Sequence, residues 1–286
     1  MTKSREKNNS RDHGGGLDAA VAQFGGARKD WLDLSTGINP NPYPTLPFSL
    51  HSMTALPDQG AYQALIEAAR KFWSVPQGAK IVPAAGASAL IAALPALIGG
   101  QKVAIAQPTY NEHQAAFIAA GWALDPEHPD VQVAVHPNNP DGYLWQSTAL
   151  QAPMAIIDES FADVCPDQSL IGETAHPGCI VLKSFGKFWG LAGVRLGFAI
   201  GADPVLDMLA ERLGPWPVSG PALEIGTSAL SNPGWAQMTR SQLAKDAQRL
   251  DKIMLATGAK HVGGCDLFRL FLVDSAGHWH HKLAKH

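Results

Sequence analysis

One short segment carries three side chains that can bind an anion and present a nucleophilic amine. Ser184, Lys187 and Arg195 follow an apolar run, and glycines stand among and just after them at positions 186, 190, 193 and 197. A hydroxyl and a guanidinium can bind one phosphate or carboxylate group. A lysine amine that is partly desolvated beside cations has a lowered pKa and attacks aldehydes. The segment therefore predicts an amine that condenses with a carbonyl compound whose anionic group is bound nearby.

The pattern on either side of this segment predicts the elements that must position it. Short β-branched and apolar runs alternate with segments of helical periodicity. The runs are 81–82, 103–106, 131–136, 154–157, 180–182 and 198–200, and the helices are predicted over 57–73, 88–98, 111–120 and 235–255. This alternation indicates an α/β protein with a mostly parallel sheet covered by helices. Ligands bind outside the carboxyl ends of strands in such sheets, so residues just past each run are site candidates.

Polar residues and an aromatic residue occupy several of these positions. Asp158 closes one apolar run, Tyr110 ends the Gln-Pro-Thr-Tyr segment after another, and Asn139 lies in a Pro/Asn-rich turn after a third. The amides of Ala87 and Ser88 fall at a predicted helix start, where a phosphate can bind. Each also has an ordinary structural interpretation, as a helix cap, a core tyrosine, or a turn.

The segment 184–197 resembles the lysine segment of the class I/II aminotransferases, which use pyridoxal 5'-phosphate. The resemblance implies fold type I, like aspartate aminotransferase, with a smaller and C-terminally truncated second domain. It implies that Lys187 forms a Schiff base with the cofactor, and that Ser184 and Arg195 hold the cofactor phosphate. The remaining cofactor-binding positions it implies are Asp158 at the pyridine nitrogen, Asn139 at the ring oxygen, Tyr110 on the ring face, and Ala87 and Ser88 at the phosphate.

The N-terminal region narrows the resemblance. Residues 12–15 and 31–40 are similar to the threonine-phosphate decarboxylases of cobalamin biosynthesis, which are relatives of histidinol-phosphate aminotransferases. This likeness implies loss of CO2 from L-threonine O-3-phosphate to give (R)-1-aminopropan-2-yl phosphate. The bond that breaks is the one held perpendicular to the cofactor ring, so the groups that orient the substrate decide the reaction. We take His13, Gly37 and Asn39 as candidates for one wall of the substrate pocket.

The sequence departs from the family pattern at several places. Phe161 stands where a tyrosine usually contacts the ring oxygen, which we expect to raise the pKa of the lysine–cofactor linkage. Leu56 stands where many relatives have a tyrosine that reaches the neighbouring subunit's phosphate, and Asp141 replaces a threonine. Arg269 comes too early to match the family's carboxylate-binding arginine, and we expect it to pair with a carboxylate. Three hypotheses stay open: a decarboxylase, an aminotransferase, and a non-catalytic protein with this fold.

Composition limits the kind of partner. The sequence has 286 residues, with 22 Lys and Arg against 25 Asp and Glu, a net charge of −3. This balance argues against nucleic acid or an anionic membrane as the main partner. The family resemblance implies a small phosphorylated amino acid as the partner. The polar N-terminus lacks the apolar core of a secretory signal, which predicts a cytoplasmic location. The three cysteines match no metal-binding spacing, and no metal is expected.

The Pro/Gly cluster at 214–221 is the best candidate for a domain boundary. We therefore predict an N-terminal arm and substrate-side loop over 1–45, a cofactor-binding large domain over 46–220, and a partial small domain over 221–286. The family resemblance implies a homodimer.

Overall fold

The computed structural model describes residues 13–45 and 47–286, and within them the main sheet has seven strands in the order β1-β7-β6-β5-β4-β2-β3. Their bounds are β1 Lys80–Ala84, β2 Lys102–Ile105, β3 Ala123–Leu124, β4 Val131–Val135, β5 Met154–Asp158, β6 Cys179–Ser184 and β7 Gly197–Gly201. The six predicted runs all lie within or overlap strands of this sheet. The two-residue β3, exposed throughout, has no counterpart among the predicted runs.

Strand direction brings the candidate residues to one edge of the sheet. β4, β5 and β6 are parallel, whereas β7 is antiparallel to both of its neighbours. Gly197, which begins β7, is therefore opposite Ser184 at the end of β6 and Ala84 at the end of β1. Asp158 ends β5 at the same edge, beside Leu182. The carboxyl ends of four strands thus meet where β7 starts.

The helices cover the sheet and extend beyond it. Their bounds are α1 Leu17–Phe24, α2 Leu50–Thr54, α3 Gln59–Phe72, α4 Ala87–Ala93, α5 Asn111–Ala119, α6 Val205–Leu213, α7 Gly220–Leu230, α8 Pro233–Ala256 and α9 Ala276–Leu283. The predicted helix 88–98 is shorter in the structure and continues as a 3-10 turn over Leu94–Ala96. Pro95 accounts for this change, because proline lacks the amide hydrogen that an α-helix requires.

Two apolar clusters pack on opposite faces of the sheet. Ile157 and Val181 belong to the cluster shared with α3 and α7, whereas Ile156 and Ile180 belong to the cluster shared with α4 and α6. Successive strand residues point to opposite faces, and both faces are covered here. The strands β5 and β6 are consequently apolar up to their carboxyl ends, where Asp158, Lys183 and Ser184 lie.

The chain forms two compact units. One contains Ile38–Leu272, and the other joins residues up to Gly37, described from residue 13, with Val273–His286. The first unit also holds a hairpin of β8 (Lys260–Cys265) and β9 (Phe268–Leu272). The boundaries predicted at residues 45 and 220 stay predictions. Across the described residues, no helix is both long enough and apolar enough to span a bilayer.

Candidate active site

Ser184, Arg195, Gly86 and Ala87 line one end of the candidate site. A Cβ atom at Gly86 would lie 2.4 Å from Arg195 Nη2, and one at Gly197 would lie 2.4 Å from the Ala87 amide nitrogen. The guanidinium and the amide that begins α4 therefore fit only against bare glycine backbone. Ser184 is opposite Gly197 across the strand pair. Hydroxyl, guanidinium and backbone amide donors that lie together at the strand ends are suited to binding a phosphate monoester.

Arg195 has a strained backbone that places its side chain at this edge. Its φ is 55°, in the left-handed region that few non-glycine residues adopt. Its Nη1 donates to the Ala192 carbonyl at 3.1 Å, and the side chain remains exposed. Ser88, the other predicted phosphate-binding residue of α4, is exposed in the first turn.

Lys187 follows β6 in a tight turn, and its amine lies 5.2 Å from the centre of the Phe161 ring. Burial lowers the pKa of the Lys187 amine, and the charge of Asp158 opposes that effect only in part. A lysine with a lowered pKa has a larger neutral fraction near neutral pH. The neutral amine is the form that attacks a carbonyl carbon.

Asp158 is buried and engaged through both carboxylate oxygens. His113 Nε2 lies 2.8 Å from Oδ2, and Ser160 donates its hydroxyl and its amide to Oδ1 at 2.5 and 3.0 Å. Burial raises the pKa of Asp158, but the hydrogen bond and charge of His113, with the Ser160 donors, bring the net pKa below its usual value. The carboxylate is therefore held as an anion, the form that pairs with a protonated ring nitrogen.

The segments carrying Tyr110 and Asn139 are joined by the side chain of Asn138. Its Nδ2 donates to the Pro108 carbonyl at 3.1 Å, and its Oδ1 accepts from Thr109 at 2.6 Å. Tyr110 makes an edge contact with His113, the residue bonded to Asp158, with ring centres 6.1 Å apart. The structure thus brings Tyr110, Asn139 and Asp158 to neighbouring strand ends.

The proline-rich loop after residue 37 packs directly on the Lys187 turn. The Asn39 amide donates to the Lys187 carbonyl at 3.0 Å, and the Tyr43 amide donates to Trp189 at 2.9 Å. Gly190 has φ 67°, and a Cβ there would lie 2.7 Å from Pro42 Cα. This loop supports the turn that holds the candidate catalytic amine.

Comparison with known proteins decides the family. The model for aminotransferase class I and II matches residues 123–276. A threonine-phosphate decarboxylase of Pseudomonas aeruginosa is 36% identical over 96% of this chain and 87% of its own length. One from Sinorhizobium is 37% identical over 90% of this chain and 82% of its own length. The chain belongs to the aminotransferase class I and II family.

Solved structures agree with this family at the level of the fold. A histidinol-phosphate aminotransferase from Clostridium acetobutylicum aligns with a TM-score of 0.69 at 19% identity, covering 81% of this chain and 79% of its own. An L-threonine-O-3-phosphate decarboxylase from Porphyromonas gingivalis aligns with a TM-score of 0.64 at 18% identity, covering 76% of each chain. The predicted type I fold and the predicted family are confirmed.

The candidate site of this class I/II aminotransferase family member fits the family cofactor. One structural neighbour, a histidinol-phosphate aminotransferase from Sinorhizobium meliloti, is a complex with pyridoxal-5'-phosphate, with a TM-score of 0.64 at 18% identity over 73% of this chain and 65% of its own. Membership of the aminotransferase class I and II family and the identity to threonine-phosphate decarboxylases make pyridoxal phosphate the cofactor, as predicted, and the protein an enzyme. The glycine-lined cradle suits its phosphate, the buried amine of Lys187 its aldehyde, and the anionic Asp158 its ring nitrogen. The individual residue roles stay predictions.

The three candidate substrate-binding residues fall in different environments. Asn39 is buried, and its side chain donates to the Phe188 carbonyl and accepts from the Asn41 amide, both at 2.9 Å. These two hydrogen bonds stabilise the loop that contains Asn39. His13 and Gly37 belong to the other compact unit, where Gly14 packs against Ser35 and the Gly15 amide donates to the Ser35 hydroxyl. Asp12, part of the same motif, lies outside the described residues.

Four further residues near the site or at departures from the family pattern are His113, Arg269, Phe161 and Leu56. His113 was missed, although it lies in the first turn of α5, three positions after Tyr110, the residue that caps this helix. Arg269 pairs with Asp251 at 3.1 Å, which confirms the expected carboxylate partner. Phe161 is buried, and Leu56 is exposed.

Proposed function

We propose that this protein decarboxylates L-threonine O-3-phosphate to (R)-1-aminopropan-2-yl phosphate, as a step in cobalamin biosynthesis. The observation that carries the proposal is the 36–37% identity to two threonine-phosphate decarboxylases over 90–96% of the chain. Histidinol-phosphate aminotransferases match at 29–30% over only 46–47% of it. The likeness to the decarboxylases extends over regions that the aminotransferase matches do not cover.

The chain's own residues supply the binding and proton chemistry that this reaction needs. Bound pyridoxal phosphate provides an electron sink for the bonding pair released at the substrate α-carbon. Asp158 keeps its negative charge where it can hold the ring nitrogen protonated. The amine of Lys187 can take up a proton and, in its ammonium form, donate that proton to the α-carbon. The carboxylate leaves as CO2, and the α-carbon takes a proton instead.

An aminotransferase is the second candidate, and the Lys187 environment favours keeping it. An amine with a lowered pKa is suited to removing the α-hydrogen, the step that transamination requires. The two reactions differ in which substituent of the α-carbon stands perpendicular to the ring. Product analysis therefore separates them.

The test is a mass balance on the cofactor-loaded protein with L-threonine O-3-phosphate. We expect equal amounts of CO2 and an amine phosphate, with no requirement for a keto acid. Transfer of the amino group to 2-oxoglutarate without CO2 would instead establish the aminotransferase. Bound cofactor with no turnover of either kind would support the non-catalytic alternative. The Lys187→Ala variant measures the uncatalysed background.

The cytoplasmic location and the homodimer are further parts of this proposal. Cell fractionation followed by sedimentation of the purified protein tests both. We expect recovery with the cytoplasmic fraction and twice the mass of one chain. Recovery at the mass of a single chain at assay concentrations would contradict the dimer.

A further inference from the structure

The β8–β9 hairpin touches the candidate site at two separate places, although sequence analysis assigned it no role. The first contact is with the turn that carries Asn139. The Gly264 amide donates to the Asp141 carbonyl at 2.8 Å. A Cβ at Gly263 would lie 2.1 Å from the same oxygen, and one at Gly142 would lie 2.1 Å from the Gly264 carbonyl oxygen. The two backbones touch so closely that only glycine fits on either side.

An irregularity in the hairpin makes this contact available. The pairing of β8 with β9 shifts between His261 and Gly263. A bulge of this kind bends a strand and re-aims the residues that follow it. Here those residues are the two glycines that meet Asp141. The Asp141 side chain also stabilises the turn, because its Oδ1 accepts hydrogen bonds from Asn138 Nδ2 and from the Tyr143 amide, both at 2.9 Å.

The second contact is with the aromatic ring beside the catalytic amine. Phe268, the first residue of β9, makes an edge contact with Phe161, with ring centres 4.8 Å apart. Phe161 in turn lies 5.2 Å from the Lys187 amine. An aromatic pair of this geometry holds both rings in one orientation, so Phe268 acts on Lys187 only through Phe161.

The hairpin is itself held firmly by α8. Arg269 pairs with Asp251 of α8 and also bonds to Asp266 and to the Cys265 carbonyl. Nearer the start of α8, Arg240 donates to the carbonyl of Asp163, which is two residues after Phe161, at 2.6 Å. The helix therefore anchors both the hairpin and the segment that carries Phe161.

We propose that the β8–β9 hairpin is a positioning element of the cofactor site: Gly263 and Gly264 fix the turn that carries Asn139, and Phe268 fixes Phe161 against the Lys187 amine. The inference rests on the proposed cofactor roles of Asn139 and Lys187, and not on the identity of the substrate. It makes Gly263, Gly264 and Phe268 positioning residues, none of which needs to touch the cofactor.

The glycine contact is tested by cofactor retention in Gly263→Ala. The new methyl group must push the strand away from Asp141, so Asn139 is less well placed, and we expect the dissociation constant of pyridoxal phosphate to rise about tenfold, as one lost hydrogen bond predicts. Gly172→Ala is the matched control, because a Cβ at Gly172 meets nothing within 4 Å. Thermal melting of the full chain verifies that both variants fold. Equal cofactor affinity in the two variants would overturn this half of the proposal.

The aromatic contact is tested by the pH dependence of chemical labelling at Lys187, measured on the full chain after cofactor removal. Phe268→Ala frees Phe161 and admits water to the amine. Asp158 is the charged group whose field acts on that amine, and it is unchanged in the variant. We expect the labelling rate below the amine's pKa to fall about threefold, which corresponds to a half-unit rise in that pKa.

Phe271→Ala is the control for this test, since it removes the same ring from the same strand on the side that faces His261. Phe268→Leu keeps the apolar volume and should shift labelling in the same direction by a smaller factor, so it serves if the alanine variant does not fold. An unchanged labelling profile in the Phe268 variants would refute the aromatic contact. Neither experiment uses threonine phosphate, so a wrong substrate assignment would leave both results intact.

Discussion

Lys187 and Asp158 both have lowered pKa values, which favour the deprotonated form of each group, but the physical causes differ. Desolvation favours the neutral amine of Lys187. Desolvation also disfavours the charged form of Asp158, but four interactions from His113 and Ser160 outweigh it. A pair of titratable groups whose environments drive their pKa values in useful directions is typical of an acid–base site. The site residues are thus tuned by their neighbours and not only by their identity.

Replacing Lys187 by alanine tests the proposed catalytic role of its amine directly. The variant has no amine to condense with the cofactor aldehyde, so we expect loss of the visible absorbance band and of any cofactor fixed to the chain by borohydride. Lys71→Ala on α3, an exposed lysine, is the control and should retain both signals. A normal band in the Lys187 variant would remove this residue from its assigned role.

Asp158→Asn tests the proposed role of the Asp158 charge at the ring nitrogen of the cofactor. The amide fills the same volume without the negative charge, so the cofactor linkage should form while turnover falls on the order of 100-fold, as for the loss of one preorganised electrostatic interaction. Asp246→Asn on the surface of α8 should leave turnover unchanged. Measurement of kcat beside the absorbance spectrum separates the two effects, and full turnover in Asp158→Asn would contradict the role.

Local spacing was enough to propose Lys187, Ser184 and Arg195 as site residues, because the three lie within one short segment. The bond between His113 and Asp158 was not predictable, since it joins residues 45 positions apart. The same limit applies to the glycine contact between Asp141 and Gly264. Short motifs encode what a residue can do, whereas its partners depend on how distant segments meet.

Strands of the main sheet were predictable as elements, but not in every direction or length. The β-branched runs located six strands because both faces of the sheet are buried. The antiparallel β7 is buried along its whole length, as the parallel β5 is, so its apolar pattern does not indicate its direction. Its reversal matters for function, because it brings Gly197 beside Ser184.

Behind the site, a buried charge cluster joins β5 and β6. Lys183 Nζ lies 2.6 Å from Glu159 Oε2 and 3.7 Å from Asp163 Oδ1, and all three side chains are almost fully buried. The indoles of Trp73 and Trp189 donate to Asp163 at 2.8 and 2.9 Å. Glu159 and Lys183 are the chain neighbours of Asp158 and Ser184, so the cluster fixes the two strand ends that carry site residues.

Lys183→Met tests this cluster through stability. Removing the ammonium leaves two buried carboxylates without their cation, and we expect the free energy of unfolding to fall by about 3–5 kcal/mol. Lys80→Met breaks an exposed pair with Asp207, which should change stability very little. Urea unfolding of both variants measures the difference. A Lys183 variant as stable as the Lys80 variant would show that the buried cluster contributes nothing net.

At the scale of the whole molecule, the family and fold follow from features spread along the chain, while the substrate does not. Cofactor binding needs a few side chains at strand ends, and their spacing is visible in the sequence. Substrate choice depends on which groups orient the α-carbon, and the candidates His13 and Gly37 belong to a different compact unit from Lys187. Sequence order alone does not say how such groups are arranged around one small molecule.

Two buried groups should give the stability of the whole protein opposite pH limits. The pKa of Asp158 is lowered on folding, so its contribution is present above the ordinary value of about 3.9 and is lost as the pH falls through the folded pKa. Burial lowers the pKa of Lys183, but the charges of Glu159 and Asp163 raise that pKa by more than burial lowers it. The net pKa of Lys183 is therefore raised. Its contribution is therefore present below about pH 10.4 and is lost as the pH rises through the folded pKa.

We expect the free energy of unfolding, measured by urea unfolding at a series of pH values from about 3 to 11, to decline at both ends of the series. His113→Leu should flatten the acid decline, and Lys183→Met the alkaline one, whereas identical slopes in wild type and variants would show that other groups set both limits.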